Sequence, residues 1–105
     1  MNARPASAGD RDGKTAQDAS ATGDAIAGAF GRAVRRAREA RGWSQEWLAE
    51  RAELNRSYLG EVERGNAMPS LVTIAKLAHA FELSASALLS RCEGELAIAE
   101  PSGGG

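Results

Sequence analysis

Residues 45–64 place the tightest constraint on how this chain can fold. Two runs with helical apolar periodicity, Gln45 to Ala52 and Arg56 to Arg64, are separated only by Glu53, Leu54 and Asn55. So short a link does not let two helices lie side by side. They must cross steeply, and a steep crossing needs small side chains where the axes approach. Ala49 and Ala52 are the small residues, and Leu48, Leu54, Leu59 and Val62 close the wedge between the runs.

The flanking sequence divides at similar stop signals. Upstream, Phe30, Val34 and Ala37 form an i, i+4, i+7 stripe on a helix running to Arg41, where Arg38 and Arg41 suit the negative helix end and Gly42 suits the cap. Ser44 caps the second helix and Asn55 the third, which Gly65 stops. After a loop over Asn66–Pro69, Ser70 opens a fourth helix carrying Leu71, Ile74, Leu77, Ala78 and Phe81, and Ser84 starts a short fifth with Leu88 and Leu89. No stretch alternates with period two, so the expected fold is all-α, a compact bundle of five short helices.

Composition sets the limits of that bundle. Residues 1–25 hold no bulky apolar side chain but Met1, so residues 1–26 are expected to be a disordered tail. Residues 91–105 carry three glutamates, end in three glycines and read as an acidic tail, with Leu96 and Ile98 able to dock weakly. Residues 27–90 form the domain, with nine Lys/Arg against seven Asp/Glu, while the whole chain sums to -1. The net charge therefore conceals a mildly basic domain between acidic ends.

Several function classes drop out. A single cysteine, Cys92, allows no internal disulfide and no multi-cysteine zinc site, and a single histidine, His79, allows no histidine cluster. His79 reads as a packed or partly exposed helix residue, and Cys92 as a free thiol. There is no nucleophile–base constellation and no phosphate-cradling glycine loop, so no enzyme, cofactor or metal is expected. The apolar-leaning run Gly65 to Ala75 is too short to cross a bilayer, and the N-terminus lacks a secretory apolar stretch. A soluble, cytoplasmic protein is the expectation.

The ordered pieces Gly31…Arg35-x-x-Arg38, Gly42-Trp-Ser-Gln-Glu-x-Leu-Ala49, Ser57-Tyr-Leu, Glu63-Arg-Gly65, Pro69-Ser-Leu and Ile74-Ala-x-Leu-Ala78 span about 60 residues. In order and spacing this set resembles the phage-repressor and Cro-like helix-turn-helix family, also called the xenobiotic-response-element family. The run from Asn55 to Gly65 is most similar to restriction–modification controller proteins and small phage-type repressors. The resemblance implies a lambda-repressor-like fold and sequence-specific binding to double-stranded DNA, with the helix over about 55–64 in the major groove.

The resemblance also assigns roles. Gln45, next to Ser44 at the start of the second helix, is similar to a family glutamine that holds a phosphate and braces the recognition helix. Arg38 and Glu63 match an internal ion pair between the first and third helices. Helical spacing puts Arg56, Ser57, Gly60 and Glu61 on the outward face. Arg56 can address guanine, and Glu61 can accept from cytosine or repel phosphate. Asn55 divides between capping and base contact, with capping the safer claim. Tyr58 reads either as a phosphate or thymine-methyl contact or as a rim residue beside the second helix. Asn66 offers its backbone N–H to phosphate, and Thr73 is a weaker candidate. Arg32, Arg35, Arg36 and Arg41 read as a solvated helix face within reach of the DNA backbone. Trp43 and Trp47 belong to the core or its rim.

One recognition helix makes few contacts, so a homodimer on an inverted repeat is expected. Phe81, Leu83, Leu88 and Leu89 offer apolar surface for the dimer interface. Three residues depart from the family pattern. Glu53 and Glu82 stand where glycine is usual, and a left-handed backbone at position 53 would cost glutamate on the order of 1 kcal/mol. Gly60 inside the recognition helix costs about 1 kcal/mol relative to alanine. Glu53 and Glu61 also dilute the basic face, which leaves an alternative function. The chain could be an antitoxin-like or coactivator-like adaptor that binds a protein partner on the same fold. A flat salt response at undetectable DNA affinity would mark that alternative.

Overall fold

A computed structural model describes residues 12–99, with side-chain surroundings over residues 21–98. The described residues form five helices and no strand: α1 (Asp12–Ala40), α2 (Gln45–Arg51), α3 (Arg56–Glu63), α4 (Leu71–Ala80) and α5 (Ala85–Ala99). The all-α bundle read from the sequence is the architecture observed.

All four corners between these helices use one device. The residue just past each C-cap takes a left-handed backbone: Gly42 at φ 71, Glu53 at φ 57, Gly65 at φ 79 and Glu82 at φ 61. Two backbone bonds then close each helix end. At the second corner the Glu53 N–H donates to the Glu50 carbonyl at 3.1 Å and the Leu54 N–H to the Ala49 carbonyl at 2.8 Å. The next helix starts on a side-chain cap. Ser44, Asn55 and Ser70 accept from backbone N–H groups of α2, α3 and α4, and Ser84 Oγ accepts from the Ala87 N–H of α5 at 3.0 Å. The two glutamates hold the left-handed backbone that glycine would adopt without strain.

Phe30 and Val34 of α1, Leu48 of α2, Leu59 and Val62 of α3, Leu77 of α4, Phe81, and Leu88 of α5 are fully buried together. Each contributes about 1.5–3 kcal/mol of apolar burial. Gly31 sets how closely α1 passes α3, because a Cβ there would lie 2.3 Å from the Val62 carbonyl oxygen. Trp43 is partly buried and stacks on Phe81 (centroids 5.7 Å apart, planes at 4°), with the Arg41 and Arg51 guanidiniums over its ring. Trp47 is half exposed beside it.

Helices run past both expected domain boundaries. Residues 12–26, read as tail, extend α1, continuing the turns that pack on the core from Ala27 onward, since adding a residue to a formed helix costs far less than nucleating one. Residues 91–99 likewise continue α5. There Cys92 and Glu95 are buried, Leu96 packs on the core and Ile98 is exposed. Glu95 lies between two α1 arginines, 3.5 Å from Arg32 Nε and 2.6 Å from Arg36 Nε. The parts of the tail readings that cover residues 1–11 and 100–105 lie outside the described residues.

The apolar surface assigned to a dimer changes too. Phe81 and Leu88 are 2% and 0% exposed within a single chain. The chain's own core uses both residues, so neither is free to face a second copy. Leu83 is partly buried against that core, and Leu89 is 38% exposed.

Candidate nucleic-acid interface

The apolar residues of α3 decide which of its faces is free. Leu59 and Val62 anchor the helix inward, and Glu63 is buried on that same side. A carboxylate there is tolerated because it is fully met. Arg38 Nε and Nη2 donate to it at 2.7 and 2.9 Å, while Arg38 Nη1 donates to the Trp43 carbonyl at 2.8 Å. Such a fork-to-carboxylate pair fixes geometry as well as charge. The hydrogen bond to Glu63 raises the Arg38 pKa above its ordinary value against the opposing effect of burial.

Gln45 joins this unit. Its Nε2 donates to Glu63 Oε1 at 2.9 Å, so the first residue of α2 is tied to the end of α3 through the carboxylate that α1 also holds. Ser44 Oγ is committed to the Trp47 N–H at 3.0 Å. This side-chain hydrogen bond of Gln45 ties α3 to α2.

The outward face of α3 carries Arg56 and Ser57, both exposed. Among the described residues Arg56 has no ion-pair partner. Asn55 Oδ1 accepts from the Ser57 and Tyr58 N–H groups at 2.8 and 3.2 Å, which commits its carbonyl oxygen to capping. Glu61 is exposed, and Arg64 Nη2 donates to its Oε2 at 2.5 Å. That bond is the main reason the Glu61 carboxyl lies below the usual carboxylate range.

Several residues read as contacts are engaged within the chain. Gly60 is buried, because the Arg64 guanidinium lies over it. The Asn66 N–H already donates to the Glu61 carbonyl at 2.9 Å to close α3, so it is not free for a phosphate. Thr73 is buried, and its hydroxyl lies 3.3 Å from the Tyr58 hydroxyl. Tyr58 is thus partly buried against the core and in contact with α4.

The α1 arginines are also engaged. Arg35 donates to Glu39 at 3.0 Å, Arg32 and Arg36 hold Glu95, and Arg41 donates to the Ala37 and Phe81 carbonyls. Arg32, Arg36 and Arg41 thereby tie α1 and the residue after it to other parts of the fold, while the Arg35–Glu39 pair lies within α1 and is exposed. Sequence reasoning misses Arg64 and Glu95 as functional or bracing residues. Position i+4 from Gly60 is a signal that flags Arg64, but nothing local shows that Glu95 is buried.

The remaining reactive groups are quiet. Cys92 is buried, with Sγ 3.9 Å from the Ile26 carbonyl oxygen, and burial pushes its thiol pKa up. His79 is exposed on α4. No group of three or more metal-binding side chains comes together among the described residues, and no single described helix is long and apolar enough to cross a membrane.

Comparisons with known proteins agree with this geometry. The family described as helix-turn-helix domain matches residues 29–91. The uncharacterized HTH-type transcriptional regulator YazB of Bacillus subtilis is 39% identical over 59 residues, covering 56% of this chain and 86% of that protein. The immunity repressor protein of Bacillus phage phi105 is also 39% identical over 59 residues, which make up 56% of this chain and 41% of that repressor. The restriction-modification controller protein C.AhdI from Aeromonas hydrophila superposes with a TM-score of 0.57 at 47% identity, over 59% of this chain and 94% of the controller.

Proposed function

The chain belongs to the helix-turn-helix family of DNA-binding transcriptional regulators, and we propose that it regulates by binding an inverted-repeat operator as a homodimer. One observation carries this reading: α3 is locked from behind by Arg38, Glu63 and Gln45 while Arg56 and Ser57 stand free on its front. A reading helix must be rigid before it meets DNA, or the cost of ordering it is subtracted from affinity. It must also present donors that fit base edges in the major groove.

In this reading Arg56 addresses a guanine edge, and Ser57 and the Asn55 side-chain amide face the groove beside it. Ser44 and Gln45, at the N-terminus of α2, approach a phosphate. The twofold partner brings a second α3 to a half-site about one helical turn (~34 Å) away. With Phe81 and Leu88 committed to the core, the dimer contact falls to Leu83 and Leu89. The protein then acts in the cytoplasm of a bacterium or a phage-infected cell, on nucleoid DNA.

A mobility-shift series on the selected operator tests the reading helix. Arg56→Ala is expected to weaken binding by about 1–3 kcal/mol with lost preference at one base pair per half-site. Gln45→Ala is expected to weaken it more uniformly across sequences. If both variants bind as the unmodified chain does, the assignment is wrong. Sedimentation tests the dimer. Leu89→Glu should give a monomer, and an undiminished dimer would move the interface elsewhere.

A further inference from the structure

Arg64 caps α3 rather than lying within it. On a helix, however, residues four apart share one row, so Arg56, Gly60 and Arg64 line up on the outward face. A helical side chain also leans back toward its own N-terminus. From the C-cap, the Arg64 side chain therefore returns over the middle of α3. Its Nη1 and Nη2 lie 3.4 and 3.7 Å from where a Cβ on Gly60 would sit. Gly60 leaves bare backbone there, and the guanidinium lies on it.

Glu61 holds the guanidinium in place, with Arg64 Nη2 donating to Oε2 at 2.5 Å. The Arg64 side chain nonetheless remains 59% exposed. Among the described residues Nη1 and Nε have no hydrogen-bond acceptor, so donors stay available on the solvent side. The Arg64–Glu61 pair is neutral as a unit. A phosphate, which is drawn by net positive charge, gains little from it and meets the Glu61 carboxylate. An uncharged base edge with two acceptors, the O6 and N7 of guanine, suits it better.

We propose that Arg64 is a second base-reading residue, which takes a guanine edge across the gap at Gly60, and that Glu61 is its positioning residue. This rests on the reading of α3 as the recognition helix. Arg56 is the unpaired reader near the start of α3, and Arg64 is the pre-oriented reader further along the groove. The Glu61 contact orients the side chain before DNA arrives, which lowers the ordering cost of binding. The glycine that weakens the helix thereby gains a role.

The test is selection of bound sites from random duplex DNA with the full chain, run on the unmodified protein and on Arg64→Ala, Arg64→Lys and Glu61→Gln, with Tm as a check on folding. Arg64→Ala should lose guanine preference at one base pair per half-site, distinct from the pair lost in Arg56→Ala. It should also bind the original site about tenfold to a hundredfold more weakly. Arg64→Lys should not restore that preference, since an ammonium lacks the planar fork. Glu61→Gln should soften preference at the same base pair and leave the others unchanged.

Three outcomes would overturn the proposal. Arg64→Ala could keep every base preference and lose affinity uniformly with a shallower salt dependence, which would make Arg64 a phosphate contact. Glu61→Gln could alter a different base pair, which would make Glu61 a reader in its own right. Or the unmodified chain could enrich no sequence, in which case the recognition-helix reading falls and this one with it.

Discussion

Two corners of the molecule are built from nearly the same local sequence and lead to opposite results. Ala52-Glu53-Leu54-Asn55 joins α2 to α3, and Phe81-Glu82-Leu83-Ser84 joins α4 to α5. In both, a buried C-cap residue precedes a glutamate in left-handed backbone, then a leucine, then a side-chain cap. The paired closing bonds match within 0.2 Å, at 3.1 and 2.8 Å in the first corner and 2.9 and 2.8 Å in the second. Yet the first corner delivers a helix of 8 residues with an exposed polar front, and the second a helix of 15 residues folded back on α1. Turn chemistry sets the angle between neighbouring helices. It does not decide which helix faces solvent.

The difference lies in the C-cap residue and in the helix beyond each corner. Ala52 is small, so α2 and α3 approach closely and their short wedge closes on Leu48, Leu59 and Val62. Phe81 is large and stacks on Trp43 under the Arg41 guanidinium. It thereby ties the second corner to the end of α1. The residues beyond the cap complete the contrast. Arg56 and Ser57 are exposed after the first corner, whereas Leu88, Cys92 and Glu95 are buried after the second.

Substitutions at matched positions sharpen or break this comparison. The largest effect is expected at the C-cap. Phe81→Ala should cost about 3–5 kcal/mol in urea unfolding, a large share of a small domain's stability. Ala52→Leu should cost about 1–3 kcal/mol by overpacking the helix crossing. Near-equal small losses at both sites would show that the corners are interchangeable after all.

The caps come next. Asn55→Ala and Ser84→Ala should each cost about 1 kcal/mol of stability, but only Asn55→Ala should also weaken operator binding in a mobility shift. Equal binding by both would separate α3 from DNA. The smallest effect, and of opposite sign, belongs to the left-handed glutamates. Glu53→Gly and Glu82→Gly should each stabilise by about 0.5–1 kcal/mol, as relief of backbone strain outweighs glycine's entropy cost. Glu82 gives up only an exposed 3.6 Å contact with Arg51, which is worth little. Glu53→Gly should in addition tighten DNA binding by removing a negative charge beside α3, and Glu82→Gly should leave binding unchanged. Parallel responses in the binding assay would erase the functional difference between the corners.

Much of the fold is legible in the sequence because its signals are local. The caps at Ser44, Asn55, Ser70 and Ser84, the stops at Gly42 and Gly65, and the apolar periodicity between them are read within one or two turns of chain. The ends of the domain are not legible in this way. Residues 12–26 look too poor in apolar side chains to fold, and nothing in their composition shows that the Ile26 carbonyl meets the Cys92 thiol on a helix 66 residues away, or that Ala27 is buried. Glu95 reads as tail acidity in the sequence, and only the fold puts two arginines of α1 around it. In the candidate site, helical spacing alone places Arg56 and Ser57. It misjudges Gly60, Asn66 and Thr73 because their availability depends on the Arg64 side chain, a helix-closing bond and the packing of α4.

The sequence by itself determined that the chain makes helices joined by tight, steep corners, and that Arg56 and Ser57 lie on the outward face of α3. Those properties arise from backbone sterics and periodicity, which act between neighbours in the chain. Only the tertiary structure decided which acidic and basic groups remain available for a partner. Glu63 is held by Arg38 and Gln45, Glu95 by Arg32 and Arg36, and Glu61 by Arg64, while Arg56 stands without an ion-pair partner among the described residues. Availability depends on which charge comes within reach of which other, and only the packing of helices distant in sequence brings most of those pairs together.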